Sequence, residues 1–282
     1  MNFKTFNEFI EENHEFSNEI QFLVNSNIRF AVFTDLVNGP AGMRSLSDTN
    51  FLSYSSISNN IHRLMDKGYV VKKESKFYPT TKGLIHFSML LDFSESINIV
   101  NDYSLFWQGH DIKPLLVDSL FELHVLENSQ LVESVPLDIY KPHNELKNLI
   151  NSSGNLKLLF PYLHPEYPAI VKDLINQGAE LEILLPEDIL INLIQGVGRE
   201  TIQKGLDSRT LSIKYFKKEL RLALAIGDDA SAIGLFKNDG TYDQNRLLIS
   251  KDKEAIKWTL NIFEHYKSQG LNFNSRDFNS CL

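Results

Sequence analysis

Two adjoining segments indicate the N-terminal fold: Leu52-Ser-Tyr-Ser-Ser-Ile-Ser-Asn-Asn-Ile-His-Arg-Leu-Met-Asp-Lys-Gly68 and Tyr69-Val-Val-Lys-Lys-Glu-Ser-Lys-Phe-Tyr78. Apolar residues of the first segment recur at helical spacing, which predicts a helix over 54–67. Its inward stripe comprises Tyr54, Ile57, Ile61, Leu64 and Met65. Ser53 is a favourable N-cap, and Gly68 suits the left-handed position after a helix. The second segment predicts two short strands joined by a charged turn.

Neighbouring segments complete a small unit around this helix. Residues 27–37 predict a helix that ends at Gly39-Pro40, and residues 43–48 predict a second short helix. Residues 3–25 carry apolar side chains at near-helical spacing, and a further helix is predicted after Thr80. Three helices and a two-stranded hairpin form a winged helix-turn-helix domain. A small helical subdomain without a ligand is the alternative.

Charge is distributed unevenly along the 282-residue chain, whose net charge is −8. Residues 28–90 carry eight basic and four acidic side chains, whereas residues 1–27 and 91–282 are both net acidic. Solvent screens exposed charges beyond a Debye length of about 8–10 Å, so local charge decides the attraction to phosphate. The predicted winged helix is the only net-positive segment, which favours binding to double-stranded DNA.

The predicted third helix and hairpin supply suitable groups for DNA contacts. In winged helices the third helix enters the major groove and the wing touches the backbone or minor groove. Amides at this helix can pair with adenine, and Arg63 can pair with guanine. The alternative for Arg63 is a salt bridge to Asp66 or Glu74. The predicted DNA-binding residues are Ser53, Tyr54, Ser55, Ser56, Ser58, Asn59, Asn60, Arg63, Lys72, Lys73, Lys76 and Tyr78.

Strand-like segments dominate the second half of the chain. They are Leu131–Val135, Leu156–Phe160, Leu181–Leu185, Leu211–Phe216, Leu222–Ile226 and Ala232–Phe236, with helices predicted over 168–177, 188–194 and 253–268. The strand–helix–strand order between 156 and 185 predicts a parallel βαβ unit, and the close strands after Thr210 predict an antiparallel meander. The predicted fold class is α+β / α/β, with an N-terminal winged helix-turn-helix domain and a C-terminal α/β domain containing a mixed sheet.

Four segments follow from these patterns. We expect the DNA-binding domain over 1–87, a helical linker or dimerisation segment over 88–126, an effector-sensing domain over 127–270, and a polar tail over 271–282. Helical patterning in the linker breaks at Trp107-Gln-Gly-His-Asp111. The single cysteine, Cys281, predicts neither an internal disulfide nor a cysteine-based zinc site. The sequence lacks a signal peptide and an apolar run of about 20 residues, so we expect a cytoplasmic protein without membrane contact.

Several blocks along the chain resemble a known group of proteins. They are Asn60-Ile-His-Arg-Leu-Met-Asp-Lys-Gly-Tyr-Val70, Thr80-Thr-Lys-Gly83, Trp107-Gln-Gly-His-Asp-Ile112, Leu163-His-Pro-Glu-Tyr-Pro168, Gly178-Ala-Glu-Leu-Glu-Ile-Leu-Leu185, Gly234-Leu-Phe236, Asp239-Gly-Thr-Tyr-Asp243 and Glu254-Ala-Ile-Lys-Trp258. The chain thereby resembles archaeal winged-helix transcriptional regulators with a methanogenesis regulatory protein middle domain behind an ArsR-like DNA-binding domain. Pro79 and Thr259 depart from the leucine and glycine usual in that group. The resemblance implies a homodimeric transcription regulator but supplies no established effector.

An effector site is expected where His164-Pro-Glu-Tyr-Pro168 follows a predicted strand. Ligands of open α/β sheets bind at the carboxyl ends of strands, so His164 and Glu166 are candidates for binding a small polar molecule or a metal. The alternative is a structural turn in which His164 caps a helix. Residues 239–243 fit a hairpin turn as well as they fit part of an effector site. The full set of effector candidates is His164, Glu166, Tyr167, Tyr215, Arg221, Asp239, Tyr242 and Asp243, with Tyr215 and Arg221 expected on neighbouring strands.

Catalytic motifs are missing from the sequence. It has no P-loop, no Gly-x-Ser-x-Gly elbow, no His-Glu-x-x-His and no His-x-Lys-x4-Asp signature, and Gly196-Val-Gly198 is a lone Gly-x-Gly expected in a loop. We therefore expect a regulator that is not an enzyme, without a cofactor or an assigned metal ligand. Two other classes remain open. One is a protein–protein adaptor that uses its winged helix, and the other is a hydrolase with an acid/base pair near His164.

Overall fold

The computed structural model describes residues 14–274. The chain divides into two compact units between Phe93 and Ser94. The interpretations placed on residues 1–13, on Cys281 and on the rest of the tail beyond residue 274 lie outside the described residues. Within the described part, no helix is both long enough and apolar enough to span a bilayer.

The first unit is a winged helix. Its elements are α1 (His14–Val24), α2 (Asn27–Asn38), α3 (Met43–Asn50), α4 (Tyr54–Asp66), β1 (Val70–Lys73), β2 (Lys76–Pro79) and the start of α5 (Thr81–Asp102). Strands β1 and β2 pair antiparallel, with Lys73 opposite Lys76 at the turn. Pro79, the last residue of β2, pairs with Val70, so this departure from the resembled group leaves the wing intact.

Local signals set the bounds of these elements. The Ser53 hydroxyl oxygen accepts a hydrogen bond from the Ser56 backbone N–H at 3.3 Å, which confirms the predicted N-cap of α4. Gly68 has φ 74°, the left-handed conformation expected after the helix. A Cβ on Gly83 would lie 2.3 Å from the carbonyl oxygen of Tyr69, so only glycine lets α5 begin against β1.

Among the described residues of the first unit, the buried apolar side chains form one cluster. Ile57, Ile61 and Leu64 of α4 are fully buried, as predicted. They belong to the same cluster as Phe33 and Phe87, whose ring centroids lie 3.6 Å apart. The prediction that Tyr54 joins this stripe is wrong. Its side chain is 54% exposed, because the first turn of α4 turns that position towards solvent.

The second unit is an α/β domain with a mixed sheet. Its elements are α6 (Ser104–Gly109), α7 (Val117–Phe121), a 3-10 turn (Leu123–Leu126), β3 (Gln130–Glu133), α8 (Lys141–Asn151), β4 (Asn155–Leu159), α9 (Tyr167–Gln177), β5 (Glu180–Pro186), α10 (Glu187–Val197), α11 (Arg199–Asp207), β6 (Leu211–Phe216), β7 (Leu222–Ile226), β8 (Ser231–Leu235), β9 (Arg246–Ser250), α12 (Lys253–Gln269) and β10 (Leu271–Asn272). The strand order is β10-β6-β5-β4-β7-β8-β9-β3.

The strand pairings confirm one topological prediction and correct another. β4 and β5 pair parallel, as expected of a βαβ unit, and β6 pairs parallel with β5. The predicted antiparallel meander therefore begins at β7 rather than at Thr210. Two strands separate β6 from β7, so Tyr215 and Arg221 do not lie on neighbouring strands. The short connection over 217–221, which suggested a hairpin, instead crosses the ends of β5 and β4.

Some elements were not predicted at all. Helices α8 and α11 and strands β9 and β10 are additions to the sequence-based description. Gly196 lies inside α10 rather than in a loop, and only Gly198 separates this helix from α11. Trp107 is part of α6, so the break predicted in this region begins later, at His110.

Apolar residues cover both faces of the central strands. Leu156 and Leu158 of β4 belong to a core that includes Val171 of α9, whereas Leu159 belongs to a second core that includes Trp258 of α12. Alternation of side chains along a strand produces this division. Burial on both faces explains why β4 and β5 read as nearly continuous apolar runs in the sequence.

Candidate functional sites

The outer face of α4 presents exposed polar side chains. Ser55, Asn59, His62 and Arg63 are exposed, while the opposite side of the helix is buried. Within residues 14–274, Arg63 forms no ion pair, so the predicted alternative of a salt bridge to Asp66 or Glu74 is not found. The guanidinium group is therefore available for an external partner.

Asn60 differs from its neighbour Asn59. Its amide nitrogen donates to the Ser56 carbonyl at 2.9 Å, and its amide oxygen accepts from the Ser26 hydroxyl at 3.2 Å. Both ends of the side chain are thus used inside the unit. The expectation that Asn60 reads adenine loses its support, because bidentate pairing needs a free amide. Asn59 keeps an exposed amide.

Hydroxyl groups gather at the first turn of α4. The Ser53 Oγ lies 3.1 Å from the Ser55 Oγ and 2.9 Å from the Ser56 Oγ. Tyr54 is exposed beside them, and Ser58 is half-buried one turn later. Helix N-termini attract anions through unpaired N–H groups, so this turn has the chemistry of a phosphate contact.

The wing keeps its positive charge. Lys72, Lys73 and Lys76 are exposed, and none of them forms an ion pair with another described residue. The Lys72 and Lys73 ammonium groups lie 5.8 Å and 5.6 Å from the ring centroids of Phe77 and half-buried Tyr78, respectively.

Two lysines outside the wing turn are placed differently. Lys67 and Lys82 lie 3.9 Å and 3.5 Å from the Glu19 carboxylate, which partly neutralises them. Unlike Lys67 and Lys82, the three wing lysines have no carboxylate partner among the described residues.

In the second unit, α8 and the loop after β4 bring a charged cluster together. His143 and Lys147 lie one turn apart on α8, and both contact the Glu166 carboxylate. The distances to Glu166 Oε2 are 3.1 Å from His143 Nε2 and 2.9 Å from Lys147 Nζ. These two hydrogen bonds, first that of Lys147, lower the pKa of Glu166 to about 2. Glu166 is therefore ionised at neutral pH.

His164 completes the cluster. Its ring stacks on that of His143 with centroids 3.9 Å apart, and its Nδ1 accepts the Glu166 backbone N–H at 3.2 Å. Burial and the neighbouring His143 lower the pKa of His164, although Glu166 opposes them. The ligand atoms of His143, His164 and Glu166 all lie within 4.8 Å of one another. This cluster can hold a metal ion, and its backbone contact also fits the structural turn proposed as the alternative.

His143 was not predicted as part of this site. The sequence did contain signals for it, because Pro142 suits the first turn of a helix and Leu146, Leu149 and Ile150 recur at helical spacing. What the sequence lacked was any signal that α8 packs beside the loop after β4. This contact links residues more than 20 positions apart in sequence.

A small cavity of about 170 Å³ adjoins the cluster. His143 and His164 line it together with Tyr162, Tyr242 and Arg246. The Tyr162 and Tyr242 ring centroids lie 4.4 Å apart. The predicted residue Tyr167 is buried behind them, with its hydroxyl 3.2 Å from that of Tyr162.

The structure assigns Asp243 a different place from the one predicted. Asp243 is 2% exposed, and its carboxylate lies 3.0 Å from His110, 3.7 Å from Arg246 and 3.8 Å from Lys237. A buried carboxylate surrounded by internal partners does not reach a ligand. Asp243 therefore links the segments that carry His110, Lys237 and Arg246, and it does not serve as a direct effector contact.

Asp239 forms a turn, as the alternative interpretation predicted. Its carboxylate accepts from the N–H and hydroxyl groups of Thr241, and Phe236 pairs with Tyr242 across the hairpin. The exposed Asp239 side chain does not line the cavity beside His164.

The two remaining candidates are not brought to the cavity. Tyr215 lies on β6 opposite Leu271, and exposed Arg221 contacts Glu219. Neither lines the cavity beside His164.

Comparison with known proteins finds a family match in the second half of the chain. Residues 139–269 match the family model described as "Methanogenesis regulatory protein FilR1, middle domain". A protein named methanogenesis regulatory protein FilR1, from Methanothrix harundinacea (strain 6Ac), is 22% identical over 219 residues, which is 76% of this chain and 49% of the relative. The chain thus spans about half the length of this relative. The match supports the predicted middle domain, while the ArsR-like character of the first unit stays a prediction.

Remote likenesses to solved structures were also found. TrmBL2, titled an archaeal chromatin protein with a novel mode of DNA binding, gives a TM-score of 0.41 at 15% identity, covering 86% of this chain and 92% of its own. A phospholipase D family member, Nuc from Salmonella typhimurium, gives 0.37 at 12% identity, covering 52% and 97%.

Proposed function

We propose that this protein is a DNA-binding transcriptional regulator without enzymatic activity. The observation that carries the proposal is the set of exposed side chains on the first unit. Arg63 and the three wing lysines form no ion pair with another described residue, and hydroxyl groups gather at the start of α4. In a winged helix these positions face the groove and the phosphates. The regulatory name of the FilR1 relative supports the same role. Such a role also agrees with the predicted cytoplasmic location.

A homodimer is the second part of the proposal. Helix α5 carries exposed apolar side chains at a spacing of three to four residues, namely Met89, Phe93, Ile97 and Val100, which are 67%, 60%, 43% and 38% exposed. An apolar stripe on a helix is the form of a helix–helix interface. Two copies joined along α5 would present two winged helices to a palindromic operator, as dimeric regulators do.

The third part is control by a ligand of the second unit. The cavity of about 170 Å³ is close in size to an engineered cavity of about 150 Å³ that binds benzene. It therefore suits a small effector better than a nucleotide-sized one. Its lining combines tyrosine rings with imidazole and guanidinium groups, a mixture of apolar walls and few polar contacts that is typical of ligand sites.

Selection of binding sites from a random duplex library tests the DNA-binding role. The wild-type chain should enrich a sequence motif, and Arg63→Ala should relax the preference at one base pair by about 1–3 kcal/mol. Arg221→Ala removes the same charged group from the second unit and should leave the preference unchanged. Absence of any enriched motif, together with salt-independent capture of a protein, would instead favour the adaptor function.

A further inference from the structure

The cluster of His143, His164 and Glu166 combines two imidazoles with one carboxylate. The three side chains come from two separate segments, α8 and the loop that joins β4 to α9. All three ligand atoms lie within 4.8 Å of one another. Stacked imidazoles beside a carboxylate are a donor set that transition metals recognise.

The distances agree with metal coordination. Zinc–nitrogen and zinc–oxygen bonds are about 2.0–2.2 Å long, so two neighbouring ligand atoms on one ion are about 3.0–3.5 Å apart. The distance from His143 Nε2 to Glu166 Oε2 is 3.1 Å, which already satisfies this requirement. The His164 ligand atom lies within 4.8 Å of the other two, so rotation of this side chain completes the set.

We propose that His143, His164 and Glu166 bind one divalent transition-metal ion, such as Zn²⁺, Co²⁺ or Ni²⁺. Imidazole suits these metals, whereas Mg²⁺ and Ca²⁺ take oxygen ligands. The inference deepens the proposed function by naming the chemical class of the effector. Metal binding itself does not require that the protein bind DNA.

The adjoining cavity provides room for the rest of the coordination shell. Three protein ligands leave at least one position open for water or a small anion. A water molecule occupies about 30 Å³ in the liquid, so the cavity of about 170 Å³ has space for several of them. His143 and His164 line this cavity, which places the open side of the ion towards it.

Lys147 competes with the ion for the Glu166 carboxylate. Its ammonium group lies 2.9 Å from Glu166 Oε2, the same oxygen that His143 contacts. A metal ion on this oxygen must displace the ammonium group. The side chain is 39% exposed, so it can swing into solvent when the ion binds. Without metal, Lys147 neutralises the Glu166 carboxylate. When the ion binds, the Lys147 side chain moves into solvent, so the site has two distinct arrangements.

Calorimetric titration of the chelator-treated full chain tests the proposal, first with Zn²⁺ and then with Co²⁺, whose visible spectrum reports nitrogen ligation. We expect one ion per chain with micromolar affinity or tighter, and no saturable binding of Mg²⁺. His143→Ala and Glu166→Gln should each weaken the affinity at least about tenfold, since each removes one of three ligands. His265→Ala, which removes an exposed imidazole from α12, is the matched control and should bind normally.

A variant with a higher Zn²⁺ affinity is also needed, because a loss of affinity can result from unfolding alone. Lys147→Met should tighten Zn²⁺ binding at least about tenfold, because the ion then no longer has to displace an ammonium group from Glu166 Oε2. Wild-type protein that binds no Co²⁺, or binding that survives His143→Ala together with His164→Ala, would overturn the metal site. An unchanged affinity of Lys147→Met would overturn the competition. DNA binding is measured separately in the presence of chelator. Failure of the metal site can therefore be distinguished from failure of the DNA-binding role.

Discussion

Replacing Lys72, Lys73 and Lys76 by alanine removes three positive charges from the exposed wing. None of these lysines forms an ion pair with another described residue, so their loss leaves no internal partner without its counter-charge. Each phosphate contact adds about 0.9 to the slope of log affinity against log salt, and three contacts therefore add about 2.7. Between 50 and 200 mM salt, a slope difference of about 2.7 corresponds to about 40-fold in affinity.

Fluorescence anisotropy of a labelled duplex, titrated at several salt concentrations, measures this slope. The triple wing variant should bind all duplexes more weakly and show a slope smaller by about 2.7. Lys172→Ala, Lys204→Ala and Lys251→Ala together form the control, because these exposed lysines of the second unit lower the net charge equally. If both triple variants change the slope by the same amount, the net charge of the protein rather than the wing drives binding.

Three further predictions concern the second unit and the dimer. Gly234→Ala should destabilise the protein by about 1–3 kcal/mol in urea unfolding, since the new Cβ would lie 2.2 Å from the Tyr242 hydroxyl; adding Tyr242→Phe should recover part of the loss. Burial alone would raise the pKa of Glu182, but hydrogen bonds from Lys157 and Lys267 lower it by more. The ionised carboxylate therefore stabilises the folded protein above pH 4.5, the ordinary pKa of this group, and the stabilisation is lost as the pH falls through the pKa of the folded state. Glu182→Gln should thus lower stability at neutral pH and flatten its decline below about pH 4.5 in acid unfolding, and a wild-type-like curve would contradict this. Phe93→Glu should shift sedimentation from dimer to monomer, whereas an equivalent change at exposed Leu105, outside the α5 stripe, should not.

The winged helix could be predicted closely because its signals are local. Ser53 and Gly68 mark the two ends of α4 through backbone hydrogen bonding and a left-handed turn, neither of which depends on distant residues. The strand β6 was assigned to the wrong sheet neighbour because pairing is non-local. Five residues separate Phe216 from Leu222, which resembles a hairpin in sequence, yet the connection crosses two strands.

The candidate effector site was predicted only in part, for the same reason. The position of His164 after β4 followed from the general location of ligands in α/β sheets. Its partners His143 and Lys147 come from α8, and no sequence pattern shows that this helix packs beside that loop. Asp243 is buried against His110, which lies 133 positions away in sequence, and the spacing of apolar residues could not predict this contact either.

Hydrogen exchange of the full chain, with and without a duplex enriched by the wild-type protein, locates the surface that DNA covers. We expect slower exchange for backbone amides at the first turn of α4, over 53–56, and at the wing turn formed by Glu74 and Ser75, because DNA covers both. Peptides from the central strands β4 and β5 should exchange equally with and without DNA. Protection confined to the second unit, with residues 53–78 unchanged, would contradict the assignment of the winged helix as the DNA-binding surface.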